Sequence, residues 1–121
     1  MVKVIGIGGF FFRAKDPSDL ANWYKTHLGI DPAPTSSTMR PWTTEQGVTI
    51  FSPFDEGTDY FSKHKVFMLN FRVENLSAAL DELNAAGIES GEVVNMDGVG
   101  QFARIHDPEG NPIELWQASE A

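Results

Sequence analysis

The 121 residues predict an α+β domain made of two tandem β-α-β-β-β modules, and three observations carry that prediction. The first is an internal repeat. F-R-A-K-D-P-S-D-L-A-N-W-Y-K-T-H-L-G-I (Phe12–Ile30) matches F-R-V-E-N-L-S-A-A-L-D-E-L-N-A-A-G-I (Phe71–Ile88), which is one residue shorter. Both copies run strand, polar cap, amphipathic helix, glycine, isoleucine. The second is that each copy carries one apolar helical stripe. Such a stripe must be buried against one face of a sheet, which leaves the opposite sheet face free. The third is the closing stretch Phe102–Trp116, F-A-R-I-H-D-P-E-G-N-P-I-E-L-W, which has the pattern of a β-hairpin.

Composition narrows the class. Hydrophobic content of 41% and charged content of 21% are ordinary for a soluble globular domain with its own core. No apolar run reaches the ~18 residues of a membrane span, and M-V-K-V-I-G-I-G-G is too short an apolar stretch for a signal peptide. The absence of cysteine removes disulfides, thiolate nucleophiles and Cys-ligated metal centres, and suits a cytoplasmic protein. A net charge of -8 repels a phosphate backbone, so nucleic acid is not an expected partner.

Taken in order, Val2–Ala14 reads as a strand with a glycine-softened middle. Its I-G-I-G-G is no dinucleotide fingerprint, because no G-x-G-x-x-G opens a helix. Asp16 caps a helix that begins at Pro17, and Leu20, Trp23, Tyr24, His27 and Leu28 form its apolar stripe before Gly29 ends it. Ile30–Pro34 is an extended link, Thr35–Thr44 an irregular strand, Glu45-Gln46-Gly47 a turn and Val48–Ser52 a strand. Pro53–Lys65 is polar and aromatic without a period and connects the halves. Val66–Val73 is a strand, and Asn75 caps a second helix with Leu76, Ala79, Leu80 and Leu83 on its stripe, stopped by Gly87. Gly91–Met96, Gln101–His106 and Pro112–Gln117 are the remaining strands, with Asp97-Gly98 as the tightest turn. Module one spans about 1–53, the connection about 54–65 and module two about 66–118.

Strand alternation assigns the faces. Phe10, Phe12, Ala14, Val48 and Ile50 should pack on the first helix, and Leu69, Phe71, Val73, Ile113 and Leu115 on the second. A five-residue loop, Asp107–Asn111, pairs His106 with Pro112, Arg104 with Glu114 and Phe102 with Trp116. The free face then holds Gly9, Phe11, Arg13, Thr49, Phe51, Met68, Asn70, Arg72, Phe102, Arg104, Glu114 and Trp116. An aromatic surface with a few embedded polar groups is the usual lining of a small-molecule cavity.

Each candidate on that face has two readings. Glu114 is a general base or an anchor for a cationic group, or else a structural partner of Arg104 across the hairpin. Arg13, Arg72 and Arg104 bind an anionic group, or merely balance the 17 acidic residues. His106 at the hairpin mouth is an acid or base near neutral pH, or simply ends its strand. Phe11, Phe51, Phe102 and Trp116 stack a planar ligand, or fill the space as core. His64, with Asp59 and Tyr60, forms a lid over the cavity or part of a solvated loop. His27 sits on the edge of the helical stripe.

The D-P-S-D-L-A-N-W-Y-K-T-H-L-G segment, the R-V-E-N-L-S-A-A-L-D-E-L-N-A-A-G-I repeat and the closing D-P-E-G-N-P-I-E-L-W resemble the vicinal oxygen chelate superfamily. That superfamily includes glyoxalase I, extradiol dioxygenases, fosfomycin-resistance enzymes and bleomycin-binding proteins. The resemblance runs nearly end to end. It implies paired modules that form an open, cup-shaped mixed sheet with helices outside, often in a homodimer. It also implies four inward metal-ligand positions, which fall here on Gly9, Phe51, Met68 and Glu114. Only Glu114 can ligate, and one carboxylate does not hold a catalytic zinc or iron. The expectation is therefore a glyoxalase-like protein that binds a small organic molecule without the metal centre and without another cofactor, with any catalysis a proton transfer at Glu114. The alternatives are a metal-dependent lyase or dioxygenase using His64, His106 and Glu114, an antibiotic-sequestering protein, and a scaffold with a filled cup.

Overall fold

The computed structural model describes residues 1–120. Its framework is the second half of the chain. A four-stranded sheet contains β1 (Leu69–Arg72), β2 (Val94–Met96), β3 (Gly100–His106) and β4 (Pro112–Ala118) in the order β1-β4-β3-β2. β4 runs parallel to β1 and antiparallel to β3, which in turn is antiparallel to β2. The β3–β4 register pairs His106 with Pro112, Arg104 with Glu114 and Phe102 with Trp116, as the loop length predicts. Gly100 (φ +136°) lets the strands close up: a Cβ there would strike the Gln117 carbonyl and the Trp116 indole.

Two helices cover one face. α1 (Pro17–Leu28) has Asp16 at its N-cap, accepting from Asp19 N at 3.1 Å, and Gly29 in the left-handed region at its C-terminal end. α2 (Leu76–Ala85) is capped by Asn75, which accepts from Ala78 N at 3.0 Å. Leu20 and Tyr24 of α1 meet Leu76, Leu80 and Leu83 of α2 in one core with Ala103, Ile105, Ile113 and Leu115 of the hairpin. Ile105, Ile113 and Leu76 are fully buried. Each such aliphatic side chain contributes about 1.5–3 kcal/mol of burial.

The D-P-E-G-N turn joins this core to α1. The buried Asp107 carboxylate accepts from the Tyr24 hydroxyl at 2.6 Å, Asn111 Nδ2 at 2.7 Å, Glu109 N at 2.9 Å and Asn111 N at 3.0 Å. Glu109 reaches to the start of α1, where its carboxylate accepts from Lys15 N at 2.6 Å and Asp16 N at 3.0 Å. Negative charge there complements the positive end of the helix dipole. Lys65 Nζ donates to the Glu109 carbonyl at 3.1 Å. The motif's polar atoms are thus occupied in holding α1 and the connecting segment to the hairpin.

The strands expected in module one do not form. Val2–Ala14, Thr35–Thr44 and Val48–Ser52 have no strand pairing, and Val2, Ile5, Val48, Ile50 and Phe51 are exposed. Phe12 and Ala14 still reach the α1 side, Phe12 lying 6.4 Å from the Tyr24 ring, while Val48 and Ile50 do not pack there. The physical reason is that a strand needs a partner edge and a covered face. Gly6, Gly8 and Gly9 also weaken the first segment's preference for extension. In the second half β2, β3 and β4 pair as neighbours in the chain, and β1 adds to β4 across α2. The outer strands are shorter than the apolar runs, Val66–Val73 contracting to Leu69–Arg72 and Gly91–Met96 to Val94–Met96.

Candidate functional site

The face opposite the helices is organised around Glu114. β4 is an interior strand, so both of its neighbours present side chains beside this carboxylate. The register places Asn70 of β1 on one side and Arg104 of β3 on the other. Glu114 is only 7% exposed. Its Oε1 accepts from Asn70 Nδ2 at 2.8 Å, and its Oε2 accepts from the hydroxyl of Tyr60. A buried carboxylate costs stability unless its lone pairs are used, and here both oxygens are hydrogen-bonded.

Tyr60 comes from the connecting segment, which lies across this face as a strap. The Arg104 guanidinium donates to the Tyr60 carbonyl at 3.0 Å, and its Cζ stands 5.2 Å from the centre of the Tyr60 ring. That cation–π contact contributes about 0.5–1 kcal/mol. Phe54 packs on Tyr60 with ring centres 5.6 Å apart. Arg104 is thus turned toward Tyr60, and Glu114 is taken by Tyr60 and Asn70 rather than by its cross-strand arginine. One group is left over: Arg104 Nε is buried without an acceptor. An unsatisfied buried donor costs about 1–3 kcal/mol.

Next to this polar cluster lies an aromatic wall. Phe102 and Trp116 stack with ring centres 5.9 Å apart and planes only 6° from parallel, and the indole N–H donates to the Val99 carbonyl at 2.9 Å. His106 stands at the other end of β3. Desolvation holds its imidazole below the ordinary value, helped by the positive charge of Arg104 and opposed by Asp107. The ring is therefore neutral at physiological pH.

The remaining candidates are more dispersed. Asn70 stands on the Glu114 side of β1, and Met68 lies just before the strand begins. Arg72 is drawn away to the 45–47 turn, donating to the Glu45 carbonyl at 2.8 Å. Phe11, Arg13 and Phe51 are exposed. Tyr60 is the residue whose role the sequence leaves most open. Its segment reads as a lid or a loop, and no periodicity shows that its hydroxyl reaches Glu114.

A divalent metal does not suit this donor set. Gly9, Phe51 and Met68 offer no hard ligand, and Glu114 is engaged by Tyr60 and Asn70. Among the described residues no three His, Asp or Glu side chains gather as ligands, so His64, His106 and Glu114 form no triad.

Both tyrosines of the chain donate to a buried carboxylate, which has a measurable consequence. Burial, then the hydrogen bond and charge of Asp107, pushes the Tyr24 hydroxyl far above its ordinary value. Burial, then Glu114, also raises Tyr60, with Arg104 opposing. A native-state value above the unfolded ~10 means stability that is intact below pH ~10 and lost as pH rises further. We expect the Tyr24 hydroxyl to ionise only together with unfolding, and Tyr60 to ionise later than a free tyrosine. Tyr24 ionising like a free tyrosine while the fold persists would contradict the Asp107 contact.

The comparisons with known proteins fit this geometry. A family model for the glyoxalase-like domain matches residues 9–116. The chain therefore belongs to the glyoxalase-like domain family, within the vicinal oxygen chelate superfamily. Among solved structures, a glyoxylase/bleomycin resistance protein/dioxygenase domain from Frankia sp. EAN1pec is 17% identical over 97% of this chain and 100% of its own, with a TM-score of 0.59. TnmS3, an antibiotic binding protein from Streptomyces sp. CB03234, is 20% identical over 86% of this chain and 88% of its own, with a TM-score of 0.55. At these identities the likeness concerns the fold. A glyoxalase/bleomycin resistance protein from the same Streptomyces is 31% identical, but over only 40% of this chain and 42% of that one, with a TM-score of 0.38. No curated protein matches the chain.

Proposed function

We propose that this glyoxalase-like chain binds a small, partly aromatic organic molecule on the Glu114 face of its sheet, without the superfamily's metal centre. The observation that carries this reading is the Glu114 carboxylate, buried beside the stacked Phe102 and Trp116 rings. Unlike Asp107, Glu114 holds only the side chains of Tyr60 and Asn70, and such a carboxylate suits a site that orients a ligand by one strong acceptor. Glu114 is also the group available as a general base, with His106 on the same face of the hairpin. Sequestration of an antibiotic is the second reading. It is favoured by the described binding role of TnmS3 and by the net charge of -8, which attracts cationic drugs.

The exposed apolar residues of the first half complete this reading. Val2, Val4, Ile5, Ile7 and Phe11 form an uncovered run of a kind that monomers rarely tolerate. A cytoplasmic homodimer in which these segments pair, closing the sheet into a cup over the site, would bury them.

One experiment addresses the metal and the assembly together. Untagged protein is incubated with zinc, iron(II), nickel or manganese, passed through gel filtration, and its metal content measured. We expect elution at the mass of a dimer with no stoichiometric ion. A stoichiometric ion that disappears in Glu114→Ala would overturn the metal-free reading, and elution as a monomer would overturn the dimer.

A further inference from the structure

We infer that Tyr60 is a built-in stand-in for the ligand, and that the ligand which displaces it is a planar hydroxyaryl compound. The inference rests on the proposed binding role of the Glu114 face and adds the chemical class. Tyr60 already shows what that face accepts. A phenol hydroxyl donates to Glu114 Oε2, and the phenol ring lies under the Arg104 guanidinium, 5.2 Å from Cζ. Glu114 keeps its other oxygen on Asn70, so a single donor is wanted at Oε2.

The strap is fit to leave. Tyr60 is 48% exposed, although its hydroxyl end reaches a carboxylate that is only 7% exposed. The segment 53–65 contains no helix or strand to hold it. Its occupancy is also incomplete, because the Arg104 Nε–H buried in this cluster has no acceptor. A larger hydroxyaryl ligand can do more than Tyr60 on both counts. It keeps the donor on Glu114, and it extends over the half-buried Phe102, which stacks on the buried Trp116. A second ring oxygen would also give Arg104 Nε its missing acceptor. An alkyl amine or a carboxylate would reproduce only part of this arrangement: the amine lacks the flat ring under Arg104, and the carboxylate repels Glu114.

The closed form taxes the affinity of the free protein. A site open one tenth of the time binds about tenfold more weakly than one held open. The test compares 2-naphthol with its methyl ether, which has the same rings but no donor, on the full-length chain by calorimetry and by NMR of the tryptophan indole protons. We expect Tyr60→Ala to bind 2-naphthol at least about tenfold more tightly than wild type, with Tyr60→Phe in between. The ether should bind at least about tenfold more weakly than 2-naphthol to each. The Trp116 indole signal should shift while Trp23, on α1, stays in place. In wild type the Tyr60 ring signals should change as it is displaced. Equal binding of ether and naphthol, or no gain in either Tyr60 variant, would overturn the stand-in while leaving a general aromatic site intact. No binding to any variant, with Trp116 unmoved, would overturn both.

Discussion

Replacing Asp107 by alanine is expected to cost about 3–4 kcal/mol of stability, the largest loss from any single polar residue of the chain. Four donors converge on this one carboxylate: the Tyr24 hydroxyl, two backbone amides and the Asn111 side chain. Hydrogen bonds to a charged acceptor contribute about 1.5–3 kcal/mol each, but they do not add, since the exposed side of the turn can recruit water. The Tyr24 hydroxyl cannot, because Tyr24 is buried in the α1–sheet core. Domains of this size have only about 5–15 kcal/mol in total, so the variant should unfold at a much lower urea concentration. Tyr24→Phe should cost about 1.5–3 kcal/mol, and the double variant should cost less than the sum. Full additivity would show that the two side chains act independently and that α1 is held by its apolar stripe alone.

The same motif shows how much of this molecule is legible in its sequence. Asp107, Pro108, Gly110 and Asn111 announce a turn, and the five-residue loop fixes the cross-strand pairs down to Arg104–Glu114. Both helices follow from their caps and stripes, since those signals lie within one or two turns of chain. The contact from Tyr24 to Asp107 spans most of the sequence, and a helical stripe says only that Tyr24 is buried, not which acid its hydroxyl meets. Tyr60 is hidden for a different reason. A segment without periodicity has no face, so nothing in P-F-D-E-G-T-D-Y-F-S-K-H-K aims one ring at the sheet. The first-half strands mark the opposite failure. Their alternation is genuine, but alternation does not name the partner strand, and the first half pairs with neither outer edge, of β1 or of β2.

Glu114→Leu is expected to separate stability from function. A buried ion or ion pair replaced by an apolar side chain of similar volume is often tolerated or gains about 1–4 kcal/mol, because the desolvation cost disappears. The groups released here have an outlet: Tyr60 and Asn70 are both exposed enough to turn to water. We therefore expect Glu114→Leu to keep or raise the urea midpoint by an amount equivalent to about 1–2 kcal/mol, while ligand affinity at the Trp116 face falls by about a hundredfold. Leucine is the informative choice, since glutamine would keep a carbonyl acceptor at the same place. Asp107 and Glu114 are both buried carboxylates with hydrogen-bonded oxygens, 4% and 7% exposed. Asp107 takes the hydroxyl of the buried Tyr24, which water cannot reach, so its loss should weaken the fold strongly. Glu114 holds two side chains that can let go, so its loss should leave the fold intact. A Glu114→Leu protein destabilised as much as Asp107→Ala would make Glu114 another structural clamp and remove the basis for a ligand site on this face.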